Sequence, residues 1–282
     1  MQFLNSKKRT FSTSRSMERR RKQHAVRFLV VLCVLLLVIS GLGWISWRPE
    51  INISRITVLG NTTVSEEDIR SYLEERLSGG YARVFSRANV FLFQPKVIEE
   101  ELRGTFKKIE QVEVSRDSLQ SIVVDVSERK PFYLWCTTEA KKEAEQPCYF
   151  LDINGYVFAP APYFSGSVYF EFYKPFVGGN ENPIGTYFLP ESEFKRLIAF
   201  RNSLREINIE PKSLSVLDSG DYSFLLSGGT EVFFNSKQDF DLLFHNLVAT
   251  FDTEQFARKR KQGLPLKYID LRFDNKVYYR FK

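Results

Sequence analysis

The chain has 282 residues, which is enough for a membrane anchor and one or two compact domains. Its apolar share of 43% and aromatic share of 15% exclude a disordered chain. The net charge of +6 is concentrated at the start, because residues 1–27 hold nine Lys or Arg against one acid, Glu18, which leaves −2 for the remainder. The large folded part therefore does not carry the basic excess of a nucleic-acid-binding protein.

An uncharged apolar run follows the basic tail, from Phe28 to Trp47. At about 1.5 Å per residue it spans roughly 30 Å, the thickness of a bilayer core. Trp44 and Trp47 lie where an interfacial aromatic belt is expected. The alternative is a cleaved signal peptide, but the apolar core of such a peptide covers about 7–15 residues and precedes a small-residue cleavage site. The sequence therefore predicts a retained transmembrane helix over residues 28–47.

Basic residues flank this run unequally. Six Lys or Arg lie close before it, whereas only Arg48 and Arg55 follow within a similar distance. Because basic loops stay on the cytoplasmic side, the tail of residues 1–27 is predicted to be cytoplasmic and residues 48–282 extracytoplasmic. The basic cluster is interpreted as a topology signal that also attracts anionic lipid.

The segment after the anchor begins with β-forming residues and a turn at Gly60-Asn61. Ser65 is a candidate helix N-cap, with Asp68 three residues later as its capping partner. The apolar spacing after Ser65 predicts a helix that ends at Gly79-Gly80. Pro95 is well placed to begin a second helix.

Two alternating segments complete this region, around Val112–Val114 and Ile122–Val126, with a plausible turn between them. The predicted order is strand, helix, helix, strand, strand. Such a β-α-α-β-β unit is an α+β domain with both helices on one face of the sheet.

The remaining residues favour short strands and turns. An Asn-Gly turn separates two strands within 150–158, and Gly228-Gly229 joins two more within 222–235. Helical spacing appears at Glu191–Arg205 and Asp239–Phe251. The last segment, Leu266–Lys282, reads as a pair of strands. A β-dominated domain with two helices is predicted.

Two strings at the ends of the first region resemble the opening and closing of a POTRA domain: Ile56-x-Val58-x-Gly60-Asn61-x-x-Val64-Ser65-x-x-x-Ile69 and Ile122-Val123-Val124-Asp125-Val126-Ser127-Glu128-Arg129-Lys130-Pro131. Two later strings are similar to segments of the FtsQ/DivIB family of bacterial cell-division proteins: Leu151-Asp152-x-x-Gly155-x-Val157-Phe158 and Tyr268-Ile269-Asp270-Leu271-Arg272-Phe273-Asp274-Asn275-Lys276-Val277. The resemblance implies a POTRA domain over 48–131 and a β domain with C-terminal partner-binding strands over 132–282. The link between Gly79 and Leu92 is longer than the simplest POTRA pattern.

No catalytic pattern appears in the sequence. His24 lies in the basic tail, and His245 lies within an apolar helix where a packing or surface role is expected. Asp270 and Asp274 resemble a carboxylate pair, but Arg272 between them favours salt bridging. No nucleophile, zinc or phosphate-loop motif is recognisable. The expectation is a protein that is not an enzyme and uses no cofactor, metal, nucleic acid or small-molecule substrate.

Two functions fit these features. The resemblance implies a division scaffold that docks FtsB/FtsL-like membrane partners at the midcell septum and links them to septal wall synthesis. The alternative is a POTRA component of protein translocation or outer-membrane assembly. Such proteins carry a large β-barrel, and 16 strands of roughly 9–11 residues would consume every residue after Pro131 without leaving turns.

Cys136 and Cys148 flank a charged tip between two probable strands. A hairpin brings them together, and the compartment outside the membrane can be oxidising, so a disulfide is predicted. Two unpaired thiols at the hairpin edges are the alternative. Cys33 lies in the anchor and is expected to be a packing residue.

The chain terminates in a strand over 275–281, which is expected at a sheet edge where a partner can add a strand. In the FtsQ/DivIB family this region receives the FtsB-like partner. The resemblance implies partner contacts at seven positions: Arg272, Phe273, Asn275, Lys276, Val277, Tyr278 and Tyr279. The alternative role for the basic residues of this strand is protection of the edge against aggregation.

Overall fold

The computed structural model describes residues 13–137, 147–164, 166, 168–175, 182–217, 219–261, 265–273 and 276–282. The chain forms two compact units. The first contains residues 1–102 and 112–126, and the second contains residues 103–111 and 127–282.

The first unit opens with one long helix, α1, which spans Thr13–Ser46. Its part from Arg19 to Ser46 is long and apolar enough to cross a membrane, and it is the single helix of that kind in the described residues. The apolar side chains of this part are largely exposed to the surroundings, as in a helix that faces lipid rather than a protein core. The predicted apolar run of residues 28–47 therefore lies, except for Trp47, within a longer continuous helix.

A small α+β fold follows a short 3₁₀ turn at Pro49–Ile51. Its main elements are β1 Arg55–Leu59, α2 Glu66–Leu77, α3 Pro95–Thr105, β4 Ile109–Arg116 and β5 Ser121–Glu128. The strand order in the sheet is β1-β5-β4, and β1 runs parallel to β5. This is the predicted β-α-α-β-β order.

Alternation along the strands and helical spacing in α2 direct apolar side chains into one core. Ile56 and Val58 are buried from β1, while Ile69 and Leu73 are fully buried from α2. Ser65 occupies the predicted N-cap position, but its side chain forms no capping hydrogen bond, so the predicted capping box is absent. The acidic first turn still complements the helix dipole.

The long link between α2 and α3 contains a small hairpin that periodicity does not reveal. Strand β2 covers Gly80–Tyr81 and pairs antiparallel with β3, Phe85–Ser86. Ala82 and Arg83 in the turn have positive φ angles of 49° and 60°. Each strand has two residues, which is too short to show the alternation that predicts a strand.

The second unit is built on a nine-stranded sheet. Its strands are β6 Tyr133–Cys136, β7 Cys148–Leu151, β8 Val157–Ala161, β9 Phe170–Tyr173, β10 Pro211–Val216, β11 Asp221–Leu226, β12 Glu231–Asn235, β13 Leu266–Phe273 and β14 Lys276–Phe281. They lie in the order β14-β13-β12-β11-β10-β9-β6-β7-β8. Three helices accompany them: α4 Glu191–Glu206, α5 Phe240–Phe251 and α6 Glu254–Lys261.

Aromatic side chains dominate the core of this unit. Phe172, Phe224 and Phe234 are fully buried from the sheet, and Phe194 is fully buried from α4. The turn between β7 and β8 depends on Gly155, whose φ is +79°. A Cβ at this position would lie 2.8 Å from the Phe194 ring, so glycine allows both the turn and the close packing of α4.

Helix α6 corrects the prediction of two helices in this domain. It is eight residues long and buries Phe256. One buried residue produces no apolar period, so the sequence pattern could not reveal it. The Phe256 ring lies 5.2 Å from that of Tyr279 and 5.5 Å from that of Phe281, which places α6 against β14.

Candidate partner-binding interface

The last two strands lie at one end of the nine-stranded sheet. β14 pairs antiparallel with β13, and no other strand of the described residues pairs with β14. An edge strand of this kind can accept a strand from a partner. Asp274 and Asn275, which connect the two strands, lie outside the described residues.

Side chains alternate between the two faces of β14. Three are partly buried toward the core and three are exposed: Val277, Tyr279 and Phe281, and Lys276, Tyr278 and Arg280. Val277 and Tyr279 pack against the aromatic core. Both are among the predicted partner contacts, but their side chains hold β14 to its own domain.

The outward face carries a patch of aromatic side chains. Strand pairing places Phe233 beside Asp270, and Asp270 beside Tyr278, on this face. The rings of Phe273 and Tyr278 lie 5.0 Å apart, and those of Phe233 and Tyr268 lie 6.5 Å apart. We call these four residues, Phe233, Tyr268, Phe273 and Tyr278, the outer aromatic patch.

Arg272 lies in the middle of this patch and is already paired within the chain. Its Nη2 and Nε donate to the Asp270 carboxylate at 2.6 and 2.9 Å, and its Nη1 donates to Asp221 Oδ2 at 3.2 Å. Its guanidinium carbon lies 5.3 Å from the centre of the Phe233 ring. Arg272 therefore ties β13 to β11, and its expected role as an open ion-pairing group for a partner is reduced.

The charges of this cluster stabilise one another. The hydrogen bond to Asp270 raises the pKa of Arg272 above its ordinary value; burial opposes this, and the contact with Asp221 adds to it. Burial by itself raises the pKa of Asp221, but hydrogen bonds from Asn235, Ser219 and Arg272 outweigh it and hold that pKa below its usual range. Arg272 and Asp221 are therefore both charged at neutral pH.

A bulge in β13 brings Phe273 to the exposed side beside Arg272. The pairing register of β13 shifts between Asp270 and Phe273. Consequently Arg272 and Phe273, which are consecutive, are both exposed. A bulge of this kind re-aims side chains that strict alternation would place on opposite faces. The predicted salt bridge between Asp270 and Arg272 is present.

An open groove of about 670 Å³ adjoins Arg272 and Phe273 at the end of β13. Polar side chains of β11, β12 and the start of α5 form most of its lining, together with Leu242, which is exposed on α5. Gln238 closes one side by donating to the Leu271 carbonyl at 2.9 Å. The outer aromatic patch and this groove form a continuous surface around Phe273.

Sequence reasoning missed Phe233, Tyr268 and Leu242 on this surface. A signal for Phe233 exists in the sequence, because it lies between Val232 and Phe234, which are both fully buried. Alternation therefore sends the middle ring outward. An aromatic residue at an outward strand position is a useful indicator of an interface.

The structure joins Cys136 and Cys148 by a disulfide with an S–S distance of 2.02 Å. Antiparallel pairing of β6 and β7 places the two residues directly opposite each other, with their Cα atoms 4.3 Å apart. Cys33 is a free, exposed cysteine of α1. The charged tip between the paired strands lies outside the described residues.

His245 is exposed on α5, which agrees with the expected surface role. In the described part of the chain, no group of three His, Cys, Asp or Glu side chains is arranged to hold a metal ion.

Residues 51–129 match the family model of the POTRA domain, FtsQ-type. No curated protein is similar enough to the chain to extend this comparison. The matched residues contain the β1-α2-α3-β4-β5 fold, with the apolar helix before them and the strand-rich unit after them. The FtsQ-type POTRA family is one of non-enzymatic cell-division scaffolds. Residues 51–129 therefore form an FtsQ-type POTRA domain, which supports an FtsQ/DivIB-family protein.

Proposed function

We propose that this protein is a divisome scaffold anchored in the cytoplasmic membrane, with its tail inside and its two folded units outside. It docks FtsB/FtsL-like membrane partners at the midcell septum and links them to septal wall synthesis by binding and positioning. The FtsQ-type POTRA match favours this function over protein translocation or outer-membrane assembly.

The edge position of β14 beside the outer aromatic patch is the observation that carries the docking proposal. A partner strand added to β14 would continue the sheet and form main-chain hydrogen bonds. Phe273 and Tyr278 would then supply exposed aromatic area next to that strand, of the kind that dominates protein interfaces. Lys276 and Arg280, exposed on the same strand, favour a partner segment with acidic residues.

Binding of the host's FtsB-like partner to Phe273→Ala and Tyr278→Ala variants tests this surface. Each variant is expected to weaken capture about tenfold or more, the usual effect of removing an aromatic interface anchor. Neither ring is part of the buried core, so both variants should fold. Pull-down and titration with the full-length protein in detergent give the affinities.

Tyr187→Ala is the matched control. Tyr187 has the same exposed fraction as Tyr278, 49%, and it bridges to Tyr156, near β8 at the opposite end of the sheet. Truncation after Asp274 removes β14 and should abolish capture, but it also uncovers Phe256 and is therefore the weaker test. Unchanged affinity in both aromatic variants would exclude this surface as the docking site.

A further inference from the structure

The hairpin segment of residues 79–92 packs directly against the end of α1. The Nε1 of Trp47 donates to the carbonyl of Val84 at 2.9 Å. A Cβ added to Gly43 would lie 2.9 Å from Val84 Cγ1, and one added to Gly80 would lie 3.0 Å from the Trp47 ring. Glycine at both positions thus lets the hairpin tip contact the helix backbone.

A buried polar cluster fixes this contact. The Ser46 carbonyl, at the end of α1, accepts from Asn52 Nδ2 at 3.0 Å and from Asn89 Nδ2 at 3.2 Å. The Ser46 hydroxyl accepts from the Ser86 backbone N–H at 3.1 Å. These buried polar groups form hydrogen bonds with one another rather than with water. The cluster therefore fixes the position of residues 79–92 along the axis of α1.

This position puts the hairpin tip at the outer end of the apolar run. Val84 contacts both Gly43 and the Trp47 ring, which are separated by four residues or about one helical turn, so it lies beside the last turn of the apolar run. Trp44 and Trp47 are both at least half exposed, and the Arg48 guanidinium lies 4.2 Å from the Trp44 ring centre. Aromatic rings with adjacent cations are typical of the membrane–water interface.

The exposed side chains of residues 79–92 likewise combine aromatic or apolar groups with nearby arginines. Phe91 is 69% exposed, and Leu92 and Tyr81 are also exposed. The Asn89 side-chain oxygen accepts from the Phe91 N–H at 3.0 Å, so the residue that contacts Ser46 also positions Phe91. Arg83 is exposed at the tip, and Arg87 lies over the Tyr81 ring at 5.7 Å.

We infer that residues 79–92 form a second membrane contact, which lies in the headgroup layer of the extracytoplasmic leaflet. Phe91 and Leu92 enter the boundary with the acyl chains, while Arg83 and Arg87 face lipid phosphates. Continuity with the apolar end of α1 identifies lipid as the surface that covers these side chains. This inference rests on the proposed anchoring of α1 in a membrane.

Spin labelling of the full-length protein in vesicles of phosphatidylethanolamine and phosphatidylglycerol tests the contact. A nitroxide is attached at Phe91→Cys in a Cys33→Ser background, with Cys136 and Cys148 left oxidised. Relaxation by oxygen, which concentrates in lipid, is compared with relaxation by a water-soluble nickel chelate. The oxygen-to-nickel ratio at position 91 is expected to be several-fold higher than at the control position.

Leu59→Cys provides the control label, because Leu59 is an exposed apolar residue at the end of β1 farthest from α1. Protein that resists alkaline extraction but shows equal ratios at both positions would overturn the lipid contact and leave the proposed scaffold function intact. Shielding at 91 in native membranes but not in pure lipid would also overturn it, in favour of a protein neighbour. Release by alkaline extraction would overturn the anchoring itself, and the inference with it.

Discussion

At the scale of single residues, Arg272 lies on the proposed docking surface but forms its ion pairs within its own domain. It bridges carboxylates of β13 and β11 and lies over the Phe233 ring. A partner that approaches this face therefore meets a cluster whose charges are already balanced. Specificity at this surface is expected to come from the aromatic rings and the strand edge more than from a new ion pair.

Arg272→Gln is expected to lower the free energy of unfolding by about 1–2 kcal/mol at neutral pH, since the side chain is partly exposed and water screens its ion pairs. The loss should shrink under acid conditions. Asp221 has a lowered pKa, so its contribution is present above about pH 4 and disappears as the pH falls through its folded-state pKa. Urea unfolding of the detergent-purified protein at several pH values measures both effects.

Arg280→Gln is the control for this prediction, because Arg280 is exposed on the neighbouring strand. Its effect should stay within about 0.5 kcal/mol. A difference between wild type and Arg272→Gln that stays constant from neutral pH to below pH 4 would contradict the assigned role of the carboxylates.

At the scale of elements, apolar periodicity predicted the longer helices but not the short elements. Helices α2 and α5, with three or more buried residues at helical spacing, follow directly from it. Helix α6 and the β2–β3 hairpin do not, because each is too short to repeat an apolar position. At the proposed docking surface, β-forming residues and alternation predict the last pair of strands, whereas the β13 bulge that exposes Phe273 beside Arg272 depends on tertiary pairing.

The disulfide of the β6–β7 hairpin leads to a prediction about alkylation and thermal stability. In the exported protein, Cys136 and Cys148 are expected to be resistant to alkylation until a reductant is added. A bridge that closes a loop of this size contributes on the order of 2–3 kcal/mol, so reduction should lower the melting temperature. Intact mass after alkylation, with and without reductant, gives the redox state.

Cys33→Ser serves as the control for this measurement, because Cys33 has no disulfide partner in the described structure. It should change neither the melting temperature nor the mass shift that reduction produces. Full alkylation of Cys136 and Cys148 without reductant would refute the bridge.

At the scale of the whole molecule, the sequence begins with a basic tail, and the described residues contain one helix long and apolar enough to cross a membrane. The proposed binding surface lies after that helix, in the second compact unit. The asymmetry of Lys and Arg around residues 28–47 predicts an orientation with the tail inside. The proposed docking at the septal wall and the oxidised cysteine pair would both require export of the folded units.

Alkaline phosphatase fused after Lys282 is therefore expected to be active, and a reporter that requires the cytoplasm should be silent at the same position. Replacement of the basic residues between Arg15 and Arg27 by neutral ones should reduce phosphatase activity by mixing the two orientations. The reverse reporter pattern in the wild type would contradict the proposed topology.

The bond between Ser46 and Asn89 also makes the anchor a rotational reference for the POTRA domain. Since α1 meets the domain through a closed polar cluster, any turn of the helix about its axis turns the domain by the same angle. Inserting one residue before Gly43 would rotate the domain about the helix axis by about 100° relative to the basic tail, whereas inserting seven residues would nearly restore its original orientation. A neighbouring protein that binds one face of α1 would therefore also face one defined side of the POTRA domain.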